Sequence, residues 1–276
     1  NGGVTMHLLR AESPGPDVGK LVPKMRKTAT ILYGIYIALT LANVVFLLLD
    51  GSLPLLQAVC TAFGTAGTGG LGVYGDSLVS CTPWVQGVTA VFMFLFGVNF
   101  SCYYLILLRQ IRGVFKDEEL RLYVGIAVTA VVLITVNIFS MYGSLGESVR
   151  HAAFQVSTII STTGFSSANF DAWPTFSKAI LMLLMVTGAC AGSTAGGLKC
   201  ARVLLLFKNL RRNVSQVLKP REIRTVRVNK RPIDERILAN TNTYLAAYVI
   251  IIVVSFLIIS LDNFSPLTNF TAVLAC

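Results

Sequence analysis

Five stretches of the chain carry no charged side chain over the length that a membrane helix needs. Residues 28–49, 77–108, 122–146, 179–198 and 237–261 run to 22, 32, 25, 20 and 25 residues. A helix crosses the hydrocarbon core in roughly 20 apolar residues, so the pattern predicts five spans. Two further stretches, 53–70 and 151–170, hold few charges but are rich in Gly, Thr and Ser. They are too polar to span. They predict re-entrant segments, which persist at membrane depth only when buried in protein or lining water.

Composition agrees with this reading. Of 276 residues, 54% are hydrophobic and 13% charged, with a mean hydropathy of +0.69. Soluble domains carry about 25% charged residues, so a soluble globular protein and a disordered chain are both excluded. The net charge of +10 is unevenly placed. Lys20, Lys24, Arg26 and Lys27 precede the first span, and Arg109, Arg112, Lys116 and Arg121 follow the second. Residues 199–236 hold twelve Lys or Arg against three acids. The intervening loops carry Asp50, Asp76, Glu147, Arg150, Asp171 and Asp262. Basic loops face the cytoplasm, and the sides alternate consistently only if 53–70 and 151–170 enter and leave from outside. A cytoplasmic loop explains the basic run with no nucleic acid. Six cysteines lie scattered with no CxxC spacing and two histidines to join them, which suggests neither a metal site nor a disulfide framework.

The spans and re-entrant segments form an internal repeat of outer helix, pore helix, loop and inner helix. In the first copy the outer helix is 28–49. A pore helix over 52–63 follows, with Ser52 as N-cap and Pro54 in the first turn. The loop is Gly64-Thr65-Ala66-Gly67-Thr68-Gly69-Gly70-Leu71-Gly72, and the inner helix starts near Pro83-Trp84. In the second copy the outer helix is 122–145 and the pore helix 147–159. Its loop is Ile160-Ser161-Thr162-Thr163-Gly164-Phe165, with an inner helix from Trp173-Pro174. Setting Gly69 on Gly164 pairs Thr68 with Thr163 and Ala58 with Ala153. A third copy begins at 237–261, with Ser265-Pro266-Leu267 opening another short helix.

A half-helix that ends inside the membrane aims about half a negative charge at its C-terminus, which favours a cation. The small, permissive residues after it can turn carbonyls toward an axis and replace an ion's water shell, as potassium-channel filters do. The candidate potassium-binding residues are Thr65, Ala66, Gly67, Thr68 and Gly69 in one loop, and Ser161, Thr162, Thr163 and Gly164 in the other. Close packing of helices through small residues is the alternative; two matched loops in a repeat favour the ion path. A second irregular stretch, residues 187–199, interrupts the inner helix of the second copy. Its glycines weaken a helix by about 1 kcal/mol each relative to Ala, and broken helices at membrane depth line pathways. Gly188, Gly192, Ser193, Thr194, Gly196, Gly197 and Lys199 are therefore candidates for a movable constriction on the cytoplasmic side. The P-loop spacing GxxxxGK[ST] is missing.

At these residues the chain resembles the TrkH/TrkG/KtrB superfamily of potassium transporters. Residues 10–16 resemble the family's segment before its second pore repeat, 65–70 and 161–165 its second and third filter loops, and 191–199 its intramembrane gating loop. Residues 263–276 resemble the start of its fourth pore helix. The first loop departs from the commoner Thr-Val-Ala-Thr-Gly, reading Thr65-Ala66-Gly67-Thr68-Gly69. The resemblance implies an all-α membrane protein built from helix–pore helix–filter loop–helix units, four of them around one axis. It implies potassium uptake across the bacterial inner membrane, a homodimer in the lipid bilayer, and gating by a cytosolic nucleotide-binding ring of the TrkA/KtrA kind. The transported ion is K+, and no cofactor is expected in this chain. The organisation expected is a cytoplasmic lead-in (1–27), the second repeat (28–108), and the third (109–210) with its gate loop (188–199). A basic cytoplasmic loop (211–236) and the start of the fourth repeat (237–276) follow. The chain opens on Asn1 and stops at Cys276 within an apolar stretch, so a segment of a longer protein is expected.

Two other functions compete. A secondary transporter with broken helices would place polar side chains at the midplane, and the candidates are Asn43, Asn99, Asn137 and Thr187. A membrane enzyme would need a nucleophile–base or metal constellation, which two histidines away from mid-span and no intramembrane acid do not supply.

Overall fold

The computed structural model describes residues 25–219 and 225–275. The lead-in 1–24, with the 10–16 stretch, lies outside the described residues, as do 220–224 and Cys276. The chain is almost wholly helical: α1 (Met25–Leu48), α2 (Leu55–Ala66), α3 (Pro83–Phe96), α4 (Phe100–Leu107), α5 (Ile111–Phe115), α6 (Glu118–Tyr142), α7 (Leu145–Ile160), α8 (Thr175–Thr187) and α9 (Cys200–Leu218). A two-residue hairpin, β1 (Arg227–Val228) and β2 (Arg231–Pro232), leads into α10 (Glu235–Ile259) and α11 (Pro266–Ala275).

Both re-entrant excursions begin and end on one side. In the first copy the Thr82 hydroxyl, at the start of α3, donates to Asp50 just past α1 at 2.6 Å, and Trp84 Nε1 donates to the Phe46 carbonyl at 3.0 Å. That hydroxyl also holds the exposed Asp50 carboxyl below its ordinary range. In the second copy Trp173 Nε1, ahead of α8, donates to the Tyr142 hydroxyl at the end of α6 at 3.1 Å. The two tryptophans of the chain thus staple equivalent inner-helix starts to equivalent outer-helix ends. Residues 51–81 and 143–172 therefore leave and return at the same level, as the charge pattern requires. Trp173 is 2% exposed. Trp173→Ala is expected to cost about 3–5 kcal/mol and Trp173→Phe a smaller part of that. The unfolding midpoint of detergent-solubilised protein measures this, and an unchanged midpoint for the Ala variant rules the staple out.

The main core lies where α7 packs between α6 and α3. Tyr123, Ile134 and Ile138 of α6 meet Ala152, Val156 and Ile160 of α7 there, all with 1% exposure or less. The re-entrant helix is thus held by protein on its flanks, which lets polar residues such as Gln155 and Thr158 sit buried along it. The other end of the molecule gathers the predicted cytoplasmic loops. Lys208 of α9 forms an ion pair with Glu118 at the start of α6, and Arg212 pairs with Glu235 at the start of α10.

The five predicted spans need correction. Among the described residues, three helices are long and apolar enough to cross a membrane: 29–48, 118–142 and 235–262. The charge-free run 77–108 is two helices, α3 and α4, bent by 89° at residues 97–99. The run 179–198 holds only α8, whose 13 residues span about 20 Å before the chain leaves the helix. Absence of charge measures apolarity and is blind to a helix break made of small residues. The first pore helix is also displaced. Pro54, not Ser52, is its N-cap, with no side-chain cap bond, and the helix runs on to Ala66. Ala and Thr continue a helix readily once its flank is buried, so the loop starts later than the glycine content suggests.

Candidate functional site

The residues after α2 and after α7 make the same turn. The amides of Gly67 and Ser161 return to the carbonyls of Phe63 and Ser157 at 2.9 and 3.1 Å. Those of Thr68 and Thr162 return to Thr65 and Ile159 at 3.3 and 3.0 Å. Those of Gly69 and Thr163 return to Gly64 and Thr158 at 2.9 and 2.8 Å. Left-handed backbone then falls at Thr68 (φ 51°) and Thr162 (54°), and again at Gly70 (62°) and Gly164 (93°). The repeat is therefore offset by 94 residues. Gly70, not Gly69, is the counterpart of Gly164, and Thr68 that of Thr162. The same offset pairs Ala58 with Ala152, both fully buried, in place of Ala153. Alignment by the Thr-Gly dipeptide selected the first glycine of Gly69-Gly70; the backbone needs one at the second.

Thr65 and Ala66, expected in the filter loop, lie in the last turn of α2 and are fully buried. The Thr65 hydroxyl donates to the Thr61 carbonyl at 2.8 Å. Beyond the helix ends, among the described residues, the carbonyls at 68–70 and 162–164 accept no backbone hydrogen bond. The two loops touch. A Cβ built on Gly70 would stand 2.0 Å from the Thr163 carbonyl oxygen, so a side chain there is excluded. Phe165, 1% exposed, reaches across to the end of α2, where a Cβ on Gly64 would meet its ring at 3.0 Å, and to the chain beyond it at Gly72. Ser161 and Thr163 hydroxyls share a hydrogen bond of 2.7 Å, and Gly164 N–H donates to Thr158 Oγ1 at 3.1 Å. Two helix C-termini thus aim their dipoles at one pair of touching loops lined by small residues.

The stretch 188–199 packs directly against these loops. Thr68 Oγ1 donates to the Thr194 carbonyl at 3.1 Å, and Gly196 N–H donates to Thr162 Oγ1 at 2.7 Å. The two left-handed threonines, equivalent in the repeat, hold the same short part of the stretch, at Thr194 and Gly196. Its ends return on one another. Gly188 (φ 66°) and Gly197 (φ 79°) approach so closely that a Cβ on Gly197 would lie 3.0 Å from the Gly188 Cα. Lys199, left-handed at φ 70°, turns the chain into α9. Ser193 Oγ donates to the Cys190 carbonyl at 2.6 Å.

Sequence reasoning expected a movable constriction here, with helix-weakening glycines as its signal. The structure ties it firmly through the backbone. The bend at 97–99 frees backbone groups of α3 and α4, and the stretch takes them up. Cys190 N–H donates to the Gly97 carbonyl at 3.0 Å and Phe100 N–H to the Gly192 carbonyl at 3.1 Å. Thr194 Oγ1 reaches the Phe96 carbonyl at 3.4 Å. Gly97 is required because the Tyr123 hydroxyl lies 2.3 Å from where its Cβ would stand. Asn99 caps α4 through Ser101 N–H at 2.8 Å. Glu119, from the first turn of α6, accepts the Ala191 N–H at 2.5 Å. Gly97 and Glu119 were not anticipated, and Asn99, expected as a midplane transporter residue, serves instead at this bend; the only signals were a Gly-Val-Asn inside a span and an Asp-Glu-Glu run at a helix start.

The polar residues that a secondary transporter would gather are not brought together. Asn137 accepts from Ser177 at 2.7 Å, Thr187 bonds its own helix at Leu184, and Asn43 is buried with its amide unpartnered.

The sequence matches the family TrkH, described as a cation transport protein, over residues 3–276. The chain belongs to the TrkH family. It is 32% identical over 277 aligned residues to the Trk system potassium uptake protein TrkH of Salmonella typhimurium, and equally to that of Escherichia coli K12. Each alignment covers 98% of this chain and 57% of the relative. The crystal structure of the potassium transporter TrkH from Vibrio parahaemolyticus superposes with a TM-score of 0.85 at 28% identity, covering 97% of this chain and 58% of that one. The chain therefore spans somewhat over half the length of the TrkH relatives it matches. The helix–pore helix–loop–helix units of the TrkH fold are those described above.

Proposed function

We propose that this chain is part of the pore-forming subunit of a Trk/Ktr-type potassium uptake system, a multi-pass protein of the bacterial inner membrane. K+ is the transported ion, no chemical step is catalysed, and selection runs through loop carbonyls. The observation that carries this is the pair of touching loops at 67–70 and 161–164, each set at the C-terminus of a re-entrant helix. The relatives' names as potassium uptake proteins point to the same ion. Within the loops we assign the ion-facing role to Gly67, Thr68, Gly69, Gly70 and Ser161, Thr162, Thr163, Gly164. Thr65 and Ala66 support them from the helix.

Residues 188–199 act as the gate on the cytoplasmic side, since they contact both loops from the side on which α9 and the basic segments gather. The subunit works as a homodimer with a cytosolic nucleotide-binding ring, whose nucleotide belongs to the ring. The exposed faces of residues 109–121, 199–219 and 225–236 are the available contact surface for it. Arg211 is exposed there, as is an apolar row on α9 at Phe207, Leu210, Val214 and Val217.

Cation flux through the full-length protein in vesicles tests the function. Potassium and rubidium are expected to pass at similar rates and sodium and lithium at least about tenfold more slowly, as for a carbonyl-lined filter. Equal rates for all four ions overturn carbonyl selection, and absence of flux overturns the pore.

A further inference from the structure

Three consecutive acids at the start of α6 face three different elements. Asp117 Oδ1 caps α6 through Leu120 N–H at 2.9 Å, while its Oδ2 accepts Asn229 Nδ2 from the β-hairpin at 2.9 Å. Asn229 Oδ1 in turn accepts the Glu118 N–H at 2.9 Å. Glu118 is ion-paired with Lys208 of α9, whose ammonium also donates to the Arg227 carbonyl of the hairpin at 2.6 Å. The third acid points the other way. Glu119 accepts the Ala191 N–H of the gate loop at 2.5 Å, lies against the Ala201 N–H in the first turn of α9, and interacts electrostatically with Lys199.

We infer that Glu119 is a positioning residue that holds the gate loop shut, and that the cytoplasmic hairpin controls it through Asn229. The inference rests on reading 188–199 as the gate. Glu119 reaches both flanks of the loop, at Ala191 before Gly192 and at Ala201 beyond Gly197. A carboxyl group suits this, because its two oxygens can face N–H groups on both flanks. α6 is a 25-residue helix whose buried residues run from Tyr123 to Ile138, so packing on the 16-residue α7 does not by itself place Glu119. Its register is fixed instead at its first turn, where Asn229 grips the Asp117 carboxylate and the Glu118 amide together. Hydrogen bonds at both edges of one side chain make Asn229 sensitive to any tilt of the hairpin. A partner that moves the hairpin therefore moves the first turn of α6, and with it the acceptor that the gate loop depends on. This supplies the two-state element that long-range coupling requires: Ala191 N–H bonded to Glu119, or released.

The test uses full-length protein in nanodiscs and vesicles, with amide hydrogen exchange of the 188–199 segment and potassium flux without any partner as paired readouts. Losing a buried hydrogen bond is expected to shift the open population by roughly tenfold. Glu119→Ala should therefore raise exchange in 188–199 and basal flux about tenfold, with exchange in 158–165 and the potassium-to-sodium ratio unchanged. Glu119→Gln keeps an acceptor and should recover most of the protection. Asn229→Ala should change both readouts in the direction of Glu119→Ala. If Glu119→Ala does not fold, Glu119→Gln and Asn229→Ala are compared with wild type. Unchanged exchange of 188–199 in Glu119→Ala overturns the inference whatever the flux does. So does loosening that Glu119→Gln fails to repair, because that marks a packing role. Faster exchange with unchanged flux leaves Glu119 holding the loop and overturns the gate reading instead.

Discussion

Gly70→Ala is expected to reduce potassium uptake at least tenfold, while Gly69→Ala stays within about twofold of wild type; the backbone at 70 leaves a side chain nowhere to go. A Cβ at 70 would stand 2.0 Å from the Thr163 carbonyl oxygen and 3.0 Å from the Gly164 carbonyl carbon. Both neighbours are backbone of the opposing loop and cannot rotate aside. Gly70 also lies at φ 62°, where a side chain adds about 1–2 kcal/mol of strain. Gly69 meets no atom within 4 Å and does not lie in the left-handed region. Gly164, at φ 93° in open space, should suffer from strain alone, so Gly164→Ala is expected to fall between the two. Rubidium flux in vesicles, normalised to inserted protein, separates these outcomes. A Gly69→Ala variant as damaged as Gly70→Ala would return the repeat to an offset of 95 and undo the assignment of the loops.

That register difference marks where sequence reading reached its limit. The existence of two pore helices, the paired tryptophans and the gathering of the basic loops around 109–121 and 199–236 at one end were legible, because they depend on apolar length and charge. The offset was not, because Thr68-Gly69-Gly70 and Thr162-Thr163-Gly164 align by identity one way and by left-handed backbone the other. The bend at 97–99 was hidden for a related reason. Most backbone groups freed at this break are taken up by another segment, which leaves Asn99 as its single polar side chain, so Gly97 and Val98 read as ordinary span. The anchoring of 188–199 was invisible from its composition, since its partners Gly97, Phe100 and Glu119 come from the end of α3, from α4 and from α6. Thr65 and Ala66 were read as loop because small polar residues beside glycines suggest it, whereas burial against the inner helices carries α2 three residues past the expected end at 63.

Deleting residues 192–196 is expected to raise basal cation flux by an order of magnitude or more and to weaken dependence on a regulatory partner, as for a gate whose closed state is held by a few kcal/mol. The excision is feasible because the ends of the stretch already lie together. Leu198 N–H donates to the Val186 carbonyl at 3.4 Å and Cys200 N–H to the Ala189 carbonyl at 2.8 Å. Neither bond involves the deleted residues, so α8 and α9 keep their relation. Cys190 N–H to Gly97 and Ala191 N–H to Glu119 also lie outside the deletion. What disappears is the part that touches the loops: the Thr194 carbonyl held by Thr68 and the Gly196 N–H bonded to Thr162. Selectivity should stay near wild type, because Thr68 and Thr162 keep their backbone bonds to Thr65 and Ile159. A purely structural stretch predicts the opposite. The deletion removes the Gly192 carbonyl that accepts Phe100 N–H at 3.1 Å, so a packing role would show as an unpaired amide at the bend and lost flux. Flux measured on folded, membrane-inserted deletion protein decides between them, and a fall in flux at normal expression removes the gate.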